Sequence, residues 1–405
     1  QMCIRDSIEA TSITQADGAR ARVDAVNNLY GAETAIGDDL VIAAKAKGTT
    51  GEIKSYAVYN YQSEFKTGAN AVITTSAAGN VDNSNVNAWA VINQDNSQTT
   101  FGDNVKIQAR ASESGLSVAV LNQTDSIVDF EGSLYVDGEG FSLYSTGGAV
   151  TNALAAGKDK ILIGDMYSNS DGQINVLLDT ADSLFEGAAL IGTAGGEINF
   201  TMSDLSLWRM LGDSSVTALA VSSGAIVDMT QYDDYQQLEI SELSGSGGEF
   251  IMKTDLASET DGDKLYVTDA AAGTSQFVQV NDVSIINGAV VTGDKKLLLI
   301  TDASKNVEFI GKNLNNGGLW DITPTLENGL AVGGSEEEWY LTKLRKEANN
   351  DTSVLLGAAD NAYAMWRNTN DTMRQRLGDL RHNKINEGDG LWTRYTGGRF
   401  GGSGL

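Results

Sequence analysis

The chain has 405 residues, among them 45 glycines, one proline, one cysteine and one histidine. Its 54 acidic residues outnumber its 28 basic residues and give a formal net charge of −26, which repels phosphate groups and excludes nucleic acid as an expected partner. The single cysteine, Cys3, excludes a disulfide within the chain. Glycine, Asn and Asp supply tight turns with positive φ, so the composition predicts many short strands.

The first seven residues, QMCIRDS, differ in character from everything that follows, and residues 1–7 are interpreted as non-native sequence. No basic-then-apolar segment precedes Ile8, and no run approaches the roughly 18 consecutive apolar residues of a membrane-spanning helix. A repeat pattern is already present near residue 36. We therefore expect that natural sequence precedes this chain.

Two internal repeats decide the predicted fold. The segment IGDDLVIAAKA from Ile36 matches FGDNVKIQARA from Phe101 at most positions, and AVYN, AVIN and AVLN begin at Ala57, Ala90 and Ala119. Units of roughly 30 residues that each offer one apolar face cannot fold alone and must stack as a solenoid. The sequence therefore predicts an all-β fold, a right-handed parallel β-helix over residues 8–238. A propeller or a sandwich is the second choice, because the spacing is irregular and no Trp-Asp blade signature recurs.

From about Leu243 the chain resembles the C-terminal part of pertactin-like passengers of monomeric autotransporters, surface proteins of the type V secretion pathway. The resemblance is carried, in matching order, by LSGSGGEFIMKTDLA (243–257), GDKLYVTDAAAG (262–273), KKLLLIT (295–301), LNNGGLWDITPTLENG (314–329) and EEWYLTK (337–343). It implies that residues 239–343 form a β cap that covers the open end of the β-helix and helps it fold, the role called autochaperone.

The predicted cap has a hydrophobic core of its own. Its candidate residues are Phe250, Leu265, Trp320, Trp339 and Leu341. A stack of coils ends in unpaired N–H and C=O groups, which favour aggregation unless another element covers them. The alternative is that these segments are simply further coils.

Beyond the cap, residues 344–381 are predicted to be a linker with a long helix, because apolar or small residues recur every three or four positions from Thr352 to Arg381. The helix ends in RQRLGDLR (374–381), and GLWTRYTGG (390–398) follows as a strand. This combination resembles the junction at which an autotransporter helix threads the pore of its barrel, so residues 382–405 would be the first strand of a truncated outer-membrane barrel. The junction residues are Trp366, Arg376, Leu377, Gly378, Arg381, Trp392 and Arg394.

The residues of the chain give little support to a catalytic function. The lone histidine, His382, follows the predicted helix, so no Ser-His-Asp triad can be assembled. The acidic residues Asp261, Asp263 and Asp269 follow no Ca²⁺-loop template and are interpreted as solvated turn residues. Paired carboxylates for glycoside hydrolysis stay open as an alternative. We predict no catalytic residue, no metal site and no cofactor.

The resemblance implies a passenger displayed on the bacterial cell surface, with the C-terminal end in the outer membrane. The predicted function is that of an adhesin or self-association stalk with a part in virulence, and the alternative is the stalk of a secreted enzyme whose catalytic domain lies upstream. Expected partners are its own β-barrel, the barrel assembly machinery that the family implies, and host-cell or cell–cell contacts. Asp371 and Thr372 stand where self-cleaving relatives carry an Asn pair, so we expect the passenger to stay attached.

Overall fold

The computed structural model describes residues 7–14, 20–49, 51–80, 85–112, 115–286, 295–313, 320–350, 352–355 and 357–367. The chain divides into two compact units, residues 1–313 with 323–344 and residues 314–322 with 345–405. The predicted barrel strand lies outside the described residues. So do the junction residues Arg376, Leu377, Gly378, Arg381, Trp392 and Arg394, as well as Asp371 and Thr372.

The strands are short and follow one another through brief turns. In the first part of the chain they are β1 (Ser7–Ile13), β2 (Ala21–Leu29), β3 (Glu33–Ile36), β4 (Val41–Lys47), β5 (Ile53–Tyr61), β6 (Glu64–Thr67), β7 (Val72–Ala78), β8 (Val86–Gln94), β9 (Gln98–Phe101), β10 (Val105–Ala111), β11 (Leu116–Gln123), β12 (Ile127–Phe130), β13 (Leu134–Thr146), β14 (Val150–Ala153) and β15 (Lys160–Asn169).

Shorter coils follow, with two brief helical turns. The elements are β16 (Gln173–Leu178), β17 (Leu184–Glu186), β18 (Ala189–Ile191), β19 (Glu197–Met202), β20 (Leu207–Arg209), β21 (Ser214–Val221), β22 (Ile226–Asp228), β23 (Gln237–Ser244), β24 (Ser246–Thr254), β25 (Lys264–Ala270), β26 (Thr274–Asp282), α1 (Val283–Ile286), β27 (Leu297–Asp302), β28 (Val307–Gly311), β29 (Trp320–Asn328), α2 (Gly329–Val332) and β30 (Glu338–Ala348).

The strands stack in three parallel ladders. Among the described residues the chain visits all three ladders once per coil as far as β18, and the later coils continue in the first and third ladders only. The first ladder runs β1, β4, β7, β10, β13, β15, β17, β20, β22, β24, β26, β28. The second contains β2, β5, β8, β11, the C-terminal halves of β13 and β15, and β18. The third runs from β3 through β6, β9, β12, β14, β16, β19, β21, β23 and β25 to β27. The prediction of an all-β fold with parallel coils is confirmed, and the hand of the winding stays a prediction.

The AVxN repeat marks one position of successive coils. Val58 pairs with Val91 and Val91 with Val120, and the asparagines two residues later pair in the same register. Ala25–Asn28 is a fourth copy in the same ladder, which the sequence analysis missed because its third residue is polar. Each copy of the repeat therefore marks one coil of the stack.

Those asparagines form a buried ladder at the corner between the second and third ladders. Asn28 Nδ2 donates to Asn60 Oδ1 at 2.8 Å, Asn60 Nδ2 to Asn93 Oδ1 at 2.8 Å, and Asn93 Nδ2 to Asn122 Oδ1 at 3.0 Å. Each amide also donates to backbone carbonyls beyond the corner, as from Asn93 to Ile127 O at 2.9 Å. Buried polar groups are stable only when hydrogen-bonded, and this ladder satisfies amides and corner carbonyls together.

Apolar side chains fill the interior between the ladders. Phe65, Phe101 and Phe130 stack on consecutive rungs with ring centroids 6.5 and 5.0 Å apart. A second interior stack joins Phe200 to Trp208 at 5.1 Å. Fully burying one such side chain contributes about 1.5–3 kcal/mol, so each coil gains most of its stability from the coil on which it lies.

Turns with positive φ connect the third ladder to the first, as the composition predicted. Asp39, Asn70 and Asn104 have φ of 61°, 61° and 56°. Asn70 Nδ2 donates to Asp39 Oδ1 at 3.0 Å and Asn104 Nδ2 to Asn70 Oδ1 at 2.8 Å. Short polar side chains tolerate this backbone region and bond locally, which explains why the IGDDL and FGDNV segments look alike.

Replacing Asn93 by Ala tests the buried ladder. The change leaves the amides of Asn60 and Asn122 with one bond fewer each and opens a small cavity, so the free energy of unfolding should fall by about 3 kcal/mol. Urea unfolding followed by far-UV circular dichroism measures it. The control is Asn199→Ala on the outer surface, where a half-buried amide donates to Asn175 Oδ1 at 2.9 Å and loss should cost under about 1 kcal/mol. Equal effects of the two substitutions would contradict the assignment.

Candidate functional site

The predicted cap residues lie in two different settings. Phe250 on β24 and Leu265 on β25 are fully buried inside parallel coils, and Leu341 on β30 is fully buried beyond them. Trp339 packs half-buried against the core, with its ring centroid 5.7 Å from that of Phe309. Trp320 opens β29, and its side chain lies outside the described residues. Segments 243–257 and 262–273 are thus coils of the same kind as their neighbours.

Parallel winding ends where β27 pairs with β30. The pairing is antiparallel, with Leu297 opposite Leu341 and Ile300 opposite Trp339, and β30 pairs in turn with β29. A Cβ on Gly311 would lie 2.0 Å from the carbonyl oxygen of Pro324, so β29 crosses this glycine at backbone contact. The open edge of β27, the last parallel strand of the third ladder, is thereby paired with β30, and β29 lies beyond β30.

Buried aspartates hold the turns of these end coils. Asp263, Asp282 and Asp302 have no exposed surface. Asp263 Oδ1 accepts from the backbone N–H of Gln236 at 2.8 Å, and Asp282 Oδ2 accepts from that of Leu256 at 2.9 Å. The interpretation of Asp263 as a solvated turn residue is therefore wrong, because its carboxylate replaces water as the acceptor for neighbouring coils. Among the described residues no group of acidic, His or Cys side chains could hold a metal ion.

Burial makes the stability of these coils depend on pH through Asp263. Desolvation raises the pKa of its carboxyl from 3.8 to about 7. The folded state then binds the proton more tightly than the unfolded chain, so the free energy of unfolding should fall as the pH rises from about 4 to about 7. Asp263→Asn keeps an acceptor oxygen and should flatten that slope in urea unfolding measured across the range. The control is Asp269→Asn, at an exposed position on β25, the strand that follows Asp263; this variant should keep the slope of the original chain. A slope that persists in Asp263→Asn would refute the assignment.

A second candidate site lies on the outer surface of the second ladder, and the sequence analysis did not find it. One row of outward side chains contains Tyr56, Trp89, Val118 and Phe141 in register, and the next contains Tyr59, Ile92, Leu121, Tyr144 and Tyr167. They form an apolar cluster separate from the interior core. A groove of about 410 Å³ opens over them; we call it the aromatic groove, lined by Arg22, Tyr56, Tyr59, Trp89, Ile92, Gln94, Leu116, Val118, Leu121, Gln123 and Tyr144.

The charge in the aromatic groove is neutralised locally. Arg22 Nε lies 3.0 Å from Asp24 Oδ2, and the Arg22 guanidinium carbon lies 5.0 Å from the Tyr56 ring centroid. Desolvation raises the pKa of Tyr56 to about 12, so its hydroxyl stays protonated at neutral pH. The groove therefore presents aromatic side chains, amides and neutral hydroxyls. Its signal in the sequence is the variable third residue of the AVxN repeat together with the residue that precedes each copy, Tyr56, Trp89 or Val118.

In the second unit, residues 352–355 and 357–367 are helical. Large apolar side chains on this segment are exposed: Val354, Leu355, Tyr363, Met365 and Trp366, the last to 63%. The rings of Tyr363 and Trp366 stack with centroids 6.1 Å apart. No helix among the described residues combines the length and apolar character needed to cross a membrane.

Comparison with known protein families finds a match for the C-terminal coils. The pertactin family matches residues 216–343. The chain is 27% identical over 247 residues to the autotransporter CRAC of Citrobacter rodentium, covering 53% of this chain and 14% of that protein. It is 28% identical over 233 residues to the autotransporter adhesin/invasin TibA of Escherichia coli O78:H11, covering 55% and 21%. The chain thus spans between a seventh and about a fifth of the length of these relatives.

Among solved structures, the chain is similar to the Haemophilus influenzae Hap adhesin, with 12% identity, a TM-score of 0.38 and coverage of 84% of this chain and 33% of that one. It is also similar to the autotransporter UpaB of E. coli strain CFT073, with 13% identity, a TM-score of 0.41 and coverage of 83% and 88%.

Residues 216–343 thus match the pertactin family, and over about half of its length the chain is similar to two autotransporters. These similarities support the interpretation of the chain as a pertactin-like autotransporter passenger, which implies a location at the cell surface or the outer membrane. The resemblance read from residues 243–343 is confirmed, and the family match begins earlier, at residue 216, inside the coils of the β-helix.

Proposed function

We propose that this passenger is an adhesin or self-association stalk displayed on the bacterial surface and that it has no catalytic role. The observation that carries the proposal is the similarity over 233 residues to TibA, which is named an adhesin/invasin. The coils support it physically. Their interior is packed with apolar side chains and amides, while their outer surface is free to contact other molecules.

The C-terminal coils are proposed to help the rest of the passenger fold. A ladder end exposes unpaired backbone groups, and the antiparallel pairing of β27 with β30 supplies partners for them. Leu341 and Trp339 join this pairing to the interior core. A terminus that folds first would offer each following coil a template, so that no long-range loop needs to close before the stack grows.

The helical segment is proposed to lead toward the barrel. Exposed Trp366 and Met365 on residues 357–367 provide apolar surface suited to a confined pore. The proposed partners are the passenger's own β-barrel, the barrel assembly machinery that inserts it, and the host-cell or bacterial surfaces it would contact. In this proposal the passenger stays joined to its barrel.

Adhesion can be measured with the chain itself. Beads coated with the purified protein should clump together or bind cultured epithelial cells, because a multivalent display raises the strength of weak contacts by orders of magnitude. Beads carrying albumin at equal density are the control. Beads that neither clump nor bind cells would contradict the adhesin proposal and favour a stalk that displays an upstream catalytic domain.

The order of folding can be tested with two Leu-to-Ala substitutions, each of which leaves a cavity at a fully buried position. Leu341 on β30 and Leu40 beside β4 are both fully buried, so replacing either by Ala should cost about 2–5 kcal/mol in unfolding free energy. If the C-terminal coils fold first, Leu341→Ala should slow refolding after dilution from urea, whereas Leu40→Ala should mainly speed unfolding. Stopped-flow fluorescence measures both rates. The reverse pattern, or equal effects on refolding, would remove the templating role.

A further inference from the structure

We propose that the aromatic groove binds an uncharged oligosaccharide, through the apolar faces of its sugar rings and through their hydroxyl groups. The inference rests on the proposed adhesive function and names the class of ligand for one surface. Four features of the groove support it: its apolar floor, its neutral charge, its amide groups and its length along the stack.

The floor of the groove is apolar and already desolvated. Ile92, Val118 and Leu121 are more than nine-tenths buried although they lie on the outer face of the coils. The rings of Tyr56 and Trp89 stack on each other at 5.2 Å with an interplanar angle of 13° and border this floor. An apolar floor bordered by aromatic side chains favours a ligand with extended apolar faces, and the volume of about 410 Å³ lies within the range of small-ligand sites.

The charge of the groove disfavours ionic ligands. The one charged lining residue among those described is Arg22, and Asp24 neutralises it at 3.0 Å. The chain around the groove carries a net charge of −26, which repels sulfated or carboxylated polymers. A cationic ligand would find no carboxylate in the lining. The complementary ligand is therefore uncharged.

The lining also carries amide groups. The amides of Gln94 and Gln123 lie in register on adjacent rungs, beside the Tyr59 row. A carboxamide both donates and accepts hydrogen bonds, so these two side chains match the hydroxyl groups of a sugar.

The row of outward side chains beneath the groove extends along the stack. Four lining residues, Tyr59, Ile92, Leu121 and Tyr144, occupy consecutive rungs, and Tyr167 continues the row to a fifth. Rungs repeat every ~4.8 Å. The Tyr144 and Tyr167 ring centroids lie 4.8 Å apart. A row of about 20 Å suits a chain of several sugar units better than a single one.

The direct test is titration of the 405-residue chain with maltopentaose, cellopentaose and chitopentaose, measured by isothermal calorimetry and saturation-transfer NMR. At least one should bind with a Kd of about 1 mM or tighter. A heparin oligosaccharide, the anionic probe, should not bind. No binding of any of the three neutral probes, or binding of heparin alone, would overturn the proposal.

Substitutions locate the site. Tyr59→Ala and Gln94→Ala should each weaken the binding about tenfold, with the circular dichroism spectrum unchanged. Leu116→Lys at a 38% exposed position of the lining leaves the floor intact and should also weaken binding. The control is Tyr266→Ala, a tyrosine on β25 that is 38% exposed and lies outside the lining; this variant should bind as the original chain does. Binding that survives Tyr59→Ala and Leu116→Lys would overturn the assignment.

Repeating the bead assay with these variants separates the two proposals. Loss of cell binding together with loss of sugar binding supports both. Cell binding or clumping that persists in Tyr59→Ala removes the groove as the adhesive surface and leaves the adhesin function intact. If Tyr59→Ala abolishes clumping although no neutral probe binds, the groove contacts a second copy of this chain and the sugar proposal is wrong.

Discussion

The buried asparagine ladder is the interaction on which the geometry of the coils depends. A carboxamide both donates and accepts, so Asn60 and Asn93 each accept from the asparagine on one neighbouring rung and donate to the asparagine on the other, while Asn28 and Asn122 end the ladder. A carboxylate could only accept, and identical charges on neighbouring rungs would repel. Because this uncharged side chain must point inward at the corner, a shift by one residue would bury outward side chains and expose the amides. The ladder therefore fixes the register on every face.

Coil length explains where the sequence could predict the fold. Equivalent asparagines lie 33 and 29 residues apart in the early coils, while the outer amides of Asn152, Asn175 and Asn199 lie 23 and 24 apart. The corner then passes to Ser145, whose hydroxyl bonds that of Thr151 at 2.8 Å. The AVxN repeat therefore ends at Asn122, although the strand ladder continues through β13 and β15. The repeat was visible only in the early coils, where an asparagine occupies the corner.

The site was less predictable than the fold for a related reason. Inward positions repeat because packing and hydrogen bonding constrain them, whereas the outward third residue of the repeat varies from Tyr59 to Ile92 to Leu121. Only the register brings such residues together, and one sequence read along the chain does not show it. The same holds for Asp263, since an acidic residue beside a turn looks identical whether water or neighbouring N–H groups solvate it. The end coils were recognised because their segments match a family in order and spacing.

Amide and carboxylate contacts between coils respond differently to pH. The asparagine ladder of the early coils consists of amides, which do not titrate, so the pairing of these asparagines is indifferent to protonation. The end coils are tied by carboxylates, of which Asp263 has its pKa raised to about 7 by burial. Protonation near neutral pH therefore acts on the coils that would fold first, not on the outer surface that would make contacts. The inward-facing side chains hold the coils together, and the outward-facing side chains are not constrained by that packing. Substitutions in the aromatic groove can therefore change its specificity without disturbing the coils beneath.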